Sequence, residues 1–134
     1  MSSFFYKPAD GWSADFIPFY ENGRFHLFYL LDWRDRVGHG EGTPWYQLST
    51  TDLVHFDEHG CMLARGSEAE QDLYVFTGSV IKAQGLYHIF YTGHNPHLRQ
   101  QGKPEQVEAN SGAIRTQDVA VDVLVVIVGL AQRD

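Results

Sequence analysis

Residues Gly23 to Tyr29 read GRFHLFY, and residues Gly85 to Tyr91 read GLYHIFY. The two segments share Gly, an aromatic residue, His, an aliphatic residue, Phe and Tyr in the same order. They are offset by 62 residues (85 minus 23). A sequence that returns in this way indicates a repeated structural unit. The repeat therefore decides which folds the chain can adopt.

Each copy of the repeat is predicted to be a β-hairpin. In the first copy, Asn22-Gly23 separates two segments rich in aromatic and aliphatic residues, and Asn-Gly supplies the positive φ angles of a tight turn. Gln84-Gly85 takes the same place in the second copy. The predicted strands are 16–20 and 24–31 in the first copy and 77–82 and 86–92 in the second, and residues 45–50 and 61–65 are further candidates.

The second strand of the first copy is apolar on both faces. Phe25, Leu27 and Tyr29 are expected to point one way and His26 and Phe28 the other, which indicates a strand covered on both sides. A unit of about 60 residues, built from antiparallel hairpins and buried on both faces, is typical of a β-propeller blade. The alternative is a β-sandwich that contains two similar hairpins. We therefore expect an all-β protein and favour the propeller.

Composition and charge narrow the range of partners. Hydrophobic residues make up 43% of the chain and charged residues 20%, as in globular domains. The net charge of −7, from 17 acidic and 10 basic residues, argues against a nucleic-acid partner, because binding the phosphate backbone needs clustered Lys and Arg. A neutral substrate fits this balance better.

The single cysteine, Cys61, rules out a disulfide within the chain and makes a reducing compartment the default expectation. The first residues also lack a recognisable secretion signal. We therefore expect a cytoplasmic protein, with Cys61 as a small buried hydrophobic residue.

The last 27 residues differ from the rest. Residues 108–134 contain no aromatic residue, no His and no Pro. The aliphatic run from Val119 to Leu130 is shorter than the roughly 20 residues that a membrane-spanning helix needs, and Asp122 interrupts it. We predict two regions, residues 1–107 as a native-like β-structure and residues 108–134 as an atypical tail, and no membrane partner.

Asp15 is the candidate catalytic residue. It lies in GWSADFIPFY, close to Trp12 and just before the first predicted strand. In a propeller, residues near the start of the innermost strands converge on the central channel. A carboxylate attacks or activates water at a sugar's anomeric carbon, and an aromatic face stacks on the ring. No HExxH pair, Cys/His quartet or phosphate-binding glycine loop is present, so neither a metal nor another cofactor is expected.

Three landmarks in order resemble glycoside hydrolase family 32, the β-fructofuranosidase family. They are Trp12-Ser13-Ala14-Asp15 followed by the HLFY hairpin, the segment from Trp45 to Phe56, and Phe76-Thr77-Gly78-Ser79. The family begins with Trp-Met-Asn-Asp-Pro-Asn-Gly and continues with Trp-Gly-His-Ala-x-Ser-x-Asp-Leu and Phe-Ser-Gly-Ser. The resemblance implies the first two blades of a five-bladed β-propeller made of antiparallel four-stranded sheets.

The same resemblance implies the roles of individual residues. Asp15 falls on the family's nucleophile, and Trp12, Trp45, Phe76 and Thr77 would hold the sugar ring. The implied reaction is hydrolysis of O-glycosidic bonds in fructosides or related sugars.

The chain also departs from the family. Ala14 replaces the family's Asn, and neither the Arg-Asp-Pro motif nor the later Glu of the general acid occurs. We therefore expect an incomplete fragment that is inactive alone, with self-association through an uncovered blade. Two alternatives stay open. One is a non-catalytic carbohydrate-binding module, and the other is a relative of the family 43 arabinanases and xylosidases, in which the first-blade Asp is a general base.

Overall fold

The computed structural model describes residues 6–103 together with the backbone of three short strands beyond them. The strands are β1 (Trp12–Glu21), β2 (Arg24–Asp32), β3 (Trp45–Thr50), β4 (Asp57–Leu63), β5 (Tyr74–Ala83), β6 (Leu86–His94), β7 (Gln106–Val107), β8 (Gly112–Ile114) and β9 (Val123–Ile127). Two short helices lie between strands, α1 (Arg36–His39) between β2 and β3 and α2 (Pro96–Arg99) between β6 and β7.

The first sheet is antiparallel throughout, in the order β1-β2-β3-β4. Its first turn has Asn22 at φ 51° and Gly23 at φ 79°, the left-handed geometry for which Asn-Gly is suited. The hairpin predicted from the repeat is therefore present. The fourth strand begins at Asp57, earlier than expected, and it leaves Cys61 exposed, so the prediction of a buried cysteine was wrong.

The second sheet begins with the matching hairpin, in which β5 and β6 pair antiparallel around Gln84-Gly85. Beyond β6 it differs from the expected pattern. β7 pairs antiparallel with the last two residues of β6, whereas β9 pairs with the rest of β6 in parallel and β8 follows β9. The second sheet is thus mixed. β9, which covers most of the β6 edge, runs parallel to β6, whereas β3 of the first sheet runs antiparallel to β2.

The two sheets pack face to face around an apolar core. It contains residues from both sheets: Ile17, Phe28, Leu30, Trp45, Leu63, Val75, Val80, Ile89 and Tyr91. A second cluster covers the other face of the first sheet and includes Tyr29, Leu31 and Leu48, with Tyr6 packed against it. β2 is therefore buried on both faces, as its sequence predicted.

A bulge interrupts the ladder of the first strand in each sheet. The register between β1 and β2 shifts between Ala14 and Ile17, and that between β5 and β6 shifts between Val75 and Gly78. A bulge inserts one residue into a strand and redirects a side chain. Both copies of the repeat use this device near the start of the strand, far from the turn.

A polar cluster joins the two sheets near the hairpin turns. Glu21 accepts hydrogen bonds from the Lys82 ammonium and the Tyr87 hydroxyl. The Tyr87 ring also meets the edge of Phe19, with ring centroids 5.6 Å apart. Neither Glu21 nor Lys82 recurs at the equivalent position of the other copy of the repeat, so this link depends on the packing of one sheet on the other.

None of the helices in the described part of the chain is long and apolar enough to cross a membrane.

Replacing Glu21 with Gln is expected to lower the melting temperature of the chain. Hydrogen bonds from Lys82 and Tyr87 hold the pKa of Glu21 below its ordinary value of 4.5. A carboxyl group whose pKa is lowered by folding stabilises the fold above its unfolded-state pKa, and this contribution is lost as the pH falls.

The difference between the unmodified chain and Glu21→Gln should therefore be largest near neutral pH and shrink below about pH 4.5. Thermal melts followed by near-ultraviolet circular dichroism measure it. Glu68→Gln, at an exposed glutamate, is the control. A difference that does not change with pH would contradict the assignment.

Candidate active site

Asp15 occupies the bulge of β1. It lies inside the strand, which starts at Trp12, and not just before it as predicted. Its φ of 48° is in the left-handed region, which residues other than Gly adopt at some cost and Asp tolerates better than most. The bulge leaves the side chain exposed, so the carboxylate can reach a molecule outside the sheet.

Thr77 meets Asp15 across the two sheets. The Thr77 hydroxyl donates a hydrogen bond to Oδ2 of Asp15, although the two residues are 62 positions apart. This separation equals the offset of the repeat, so equivalent positions of the two hairpins come together. This contact agrees with the expectation that residues near the starts of successive inner strands lie close together.

A concave surface begins at Thr77 and continues over the β5–β6 ladder. It is an open depression of about 400 Å³, lined by Thr77, Gly78, Ser79, Phe90, Tyr91 and Thr92. Gly78 is required here, because a Cβ at this position would lie only 1.7 Å from the carbonyl oxygen of Phe90. The volume falls within the range of small-molecule sites, of roughly 300–1,000 Å³.

Phe76 is half-buried next to Thr77. Its ring stacks on His94, with centroids 4.8 Å apart and an interplanar angle of 14°. The Tyr74 ring lies 5.9 Å from it. One face of Phe76 is therefore taken by the protein, and only the remaining part of the ring can meet a ligand.

Trp45 does not belong to the site surface. It is fully buried, with no exposed area, and its indole N–H lies 3.2 Å from the carbonyl oxygens of both Val75 and Phe76. The prediction that Trp45 holds a sugar ring was wrong, because an indole inside the core cannot stack on a ligand. Its position shows a supporting role, since it fixes the backbone that carries Phe76 and Thr77.

Trp12 is accessible, with 54% of its surface exposed. It pairs with Asp32 at the end of β2, and the Lys7 ammonium lies 4.6 Å from the centroid of its ring. Such a cation–π contact stabilises an exposed pair by roughly 0.5–1 kcal/mol. Trp12 thus presents an aromatic surface at the end of the sheet where β1 begins.

A polar cluster that sequence reasoning missed lies at this end as well. Glu41 accepts hydrogen bonds from the Tyr74 hydroxyl (2.5 Å) and from Nε2 of His97 (2.9 Å). These bonds lower the pKa of Glu41, while desolvation and the bond to Glu41 raise the pKa of Tyr74 to about 12. Glu41 stands in a glycine-rich loop without a recognisable motif, so no sequence signal pointed to it.

The residues that the structure describes contain no group of three or more His, Cys, Asp or Glu side chains placed to hold a metal ion.

Two stacked sheets that begin with equivalent hairpins, and whose first strands meet at Asp15 and Thr77, agree with neighbouring blades of a β-propeller. The chain belongs to glycosyl hydrolase family 32, since residues 5–127 match the model of the "Glycosyl hydrolases family 32 N-terminal domain". The expected fold class, an all-β chain that forms part of a β-propeller, is confirmed by the two stacked sheets and by the solved structures below. The expectation that both sheets are antiparallel and four-stranded holds for the first sheet only.

Two curated relatives illustrate the match. A sucrose-6-phosphate hydrolase from Vibrio alginolyticus is 31% identical over 110 residues, which cover 77% of this chain and 21% of the relative. A levanbiose-producing levanase from Bacillus subtilis (strain 168) is 32% identical over 81 residues, which cover 60% of this chain and 15% of the relative. The chain thus spans about a fifth or less of the length of these relatives.

Two solved structures share the fold. Fructan 1-exohydrolase IIa from Cichorium intybus has a TM-score of 0.54 at 22% identity, over 68% of this chain and 17% of that chain. A fructofuranosidase from Schwanniomyces occidentalis, complexed with fructosylnystose, has a TM-score of 0.53 at 22% identity, over 68% of this chain and 20% of that chain.

The burial of Trp45 leads to a prediction about stability. Trp45→Ala should destabilise the fold by about 3–5 kcal/mol, as expected for loss of a buried large aromatic side chain. Trp45→Phe should cost about 1–3 kcal/mol, because it removes the N–H that the Val75 and Phe76 carbonyls accept. Denaturant titration followed by circular dichroism measures both changes.

Trp12→Phe is the matched control, at an exposed tryptophan on β1 of the same sheet. It should change the free energy of unfolding by less than about 0.5 kcal/mol. Equal stability of Trp45→Phe and the unmodified chain would contradict the supporting role of the indole.

Proposed function

We propose that this chain is the N-terminal part of a glycoside hydrolase that cleaves O-glycosidic bonds in fructosides or related sugars. The observation that carries the proposal is the contact of Thr77 with Asp15, which aligns the starts of two inner strands. Family membership and the names of the relatives, a sucrose-6-phosphate hydrolase and a levanase, support the choice of substrate class.

In the proposed reaction, a carboxylate oxygen of Asp15 attacks the anomeric carbon as the bond to the leaving oxygen breaks. The resulting ester between enzyme and sugar is then hydrolysed by water, which restores the carboxylate and retains the configuration. The Thr77 hydroxyl orients the carboxylate by its hydrogen bond, and Trp12 and Phe76 contact the ring. These four residues are the proposed site, without a metal or another cofactor.

The leaving oxygen needs a proton from a second carboxyl group, which contributes typically 10²–10⁴-fold to such rates. The sequence contains neither the family's Arg-Asp-Pro motif nor its later Glu motif. We therefore propose that this chain alone does not turn over ordinary fructosides.

We also propose a cytoplasmic location, which the single cysteine supports. We further propose self-association, which the exposed aromatic residues Trp12, Phe16 and Tyr20 of β1 support.

A substrate whose leaving group needs no proton tests Asp15 directly. With an activated fructosyl fluoride, attack by Asp15 releases fluoride and forms an ester that intact-mass and peptide mass spectrometry can locate. We expect a single label on Asp15 in the unmodified chain and none in Asp15→Asn. The matched control is Asp10→Asn, which should label like the unmodified chain.

The outcomes of this labelling experiment separate the competing functions. A label that forms equally in Asp15→Asn would refute the role of Asp15. Saturable binding of fructosides by calorimetry without any label would instead support the non-catalytic binding module or a carboxylate that acts as a general base.

The role of Thr77 can be tested by the same reaction. Thr77→Val keeps the shape of the side chain but removes the hydroxyl that hydrogen-bonds Asp15, so labelling should slow by roughly tenfold, which corresponds to about 1.4 kcal/mol. Thr77→Ser keeps the hydroxyl and should label at nearly the normal rate. Labelling of Thr77→Val as fast as the unmodified chain would show that the hydrogen bond does not position the carboxylate.

A further inference from the structure

The loop between β2 and β3 brings Glu41 to the start of β5. Gly42 permits this close approach, because a Cβ at its position would lie only 2.1 Å from the carbonyl oxygen of Leu73. The Arg65 guanidinium fixes the loop by donating hydrogen bonds to the carbonyl oxygens of Glu41 and Gly42. The position of Glu41 is therefore set by the backbone of its own loop as well as by its side-chain contacts.

The carboxylate of Glu41 keeps acceptor capacity for a molecule outside the protein. It accepts hydrogen bonds from the Tyr74 hydroxyl and from Nε2 of His97. Its two oxygens offer about four acceptor positions in total. In the described part of the chain these two hydrogen bonds take two of them, and 19% of the side chain stays exposed. Glu41 can thus accept further hydrogen bonds from a ligand.

One aromatic ring separates Glu41 from the proposed sugar site. The Tyr74 hydroxyl contacts Glu41, and the Tyr74 ring lies 5.9 Å from the Phe76 ring between centroids. Phe76 precedes Thr77 in the chain, and the Thr77 hydroxyl donates a hydrogen bond to Asp15. A disaccharide with one unit against Phe76 and the next along Tyr74 would bring its second unit beside Glu41.

The charges around Glu41 favour a neutral ligand. The Arg36 guanidinium lies 3.7 Å from the Glu41 carboxylate. The Arg34 guanidinium, in the same loop, lies 2.9 Å from the Asp32 carboxylate. Recognition of a phosphate draws on such cations, and here each already faces a carboxylate. An anionic ligand would have to displace a carboxylate, whereas a neutral hydroxyl adds a hydrogen bond without doing so.

We propose that Glu41, oriented by His97, binds hydroxyl groups of the leaving sugar, the unit that departs when Asp15 attacks. This subsite rests on the proposed function for the identity of its ligand. Hydrogen bonds from hydroxyls to a carboxylate are roughly twice as strong as those between neutral groups. Glu41 is thus a specificity-determining residue that selects fructosides with a neutral leaving sugar.

Two ligands that differ only in the leaving unit test this subsite on the full chain. Sucrose carries a glucose unit at the place where methyl β-fructofuranoside carries a methyl group. In NMR titrations of the ¹⁵N-labelled chain we expect sucrose to bind more tightly. Glu41→Gln keeps the shape of the side chain but removes its charge. It should weaken sucrose binding by about tenfold and leave the affinity for the methyl fructoside unchanged.

Glu21→Gln is the matched control. Glu21 also accepts hydrogen bonds from a tyrosine hydroxyl and a cation, but it lies near the hairpin turns. Its substitution should leave both affinities unchanged at temperatures where the chain is folded. Sucrose 6-phosphate, which carries its phosphate on the glucose unit, should bind the unmodified chain at least about tenfold more weakly than sucrose.

The outcomes separate a subsite from a merely structural role of Glu41. Equal weakening of both neutral ligands by Glu41→Gln would show a structural role only and overturn the proposal. Unchanged or absent sucrose binding, or tighter binding of sucrose 6-phosphate, would also overturn it. If Glu41→Gln does not fold, His97→Ala takes its place and should weaken sucrose binding alone by at least about threefold.

Failure of the subsite and failure of the proposed reaction give different results. Labelling of Asp15 by fructosyl fluoride tests the reaction without a leaving sugar. Sucrose binding that depends on Glu41 in a chain whose Asp15 takes no label would refute the reaction and support the subsite. A labelled Asp15 together with sucrose binding that ignores Glu41→Gln would support the reaction and refute the subsite.

Discussion

The contact between the indole of Trp45 and the bulge of β5 is the interaction on which the arrangement of the site depends. The indole N–H lies within hydrogen-bonding distance of two successive carbonyl oxygens, those of Val75 and Phe76. A buried N–H donor needs such acceptors, because leaving the donor unpaired costs more free energy than the hydrogen bond itself contributes. The side chain thus holds one sheet against the other at the point where Phe76 and Thr77 leave the ladder.

The two bulges have a consequence for chemistry that regular strands would not have. Each redirects a side chain near the start of an inner strand, and together they let Asp15 of one sheet accept a hydrogen bond from Thr77 of the next. The left-handed φ of Asp15 is a local cost that the paired strands on either side of it offset. Strain of this kind is often found at functional sites, and here it belongs to the proposed nucleophile.

Carboxylates also join the sheets at both ends. Glu21 accepts hydrogen bonds from the second sheet near the turns, and Glu41 binds Tyr74 and His97 near the start of β5. Their lowered pKa values show that both are held in the charged form by these donors. Two of the chain's acidic residues therefore stabilise the packing between the sheets. A surplus of acidic residues alone would only indicate solubility.

The repeated hairpin, the Asn-Gly turn and the two apolar faces of β2 were readable from the sequence because each depends on local geometry and on alternation along one strand. Asp15 was a candidate through the resemblance to family 32, but its position inside β1 was not readable, because the bulge that carries it depends on the pairing of β1 with β2. The burial of Trp45, the role of Glu41 and the meeting of Asp15 with Thr77 were not, since each depends on how one sheet lies on the other. An exposed and a buried tryptophan look alike in a sequence, and only the packing of the sheets decides which one can meet a ligand.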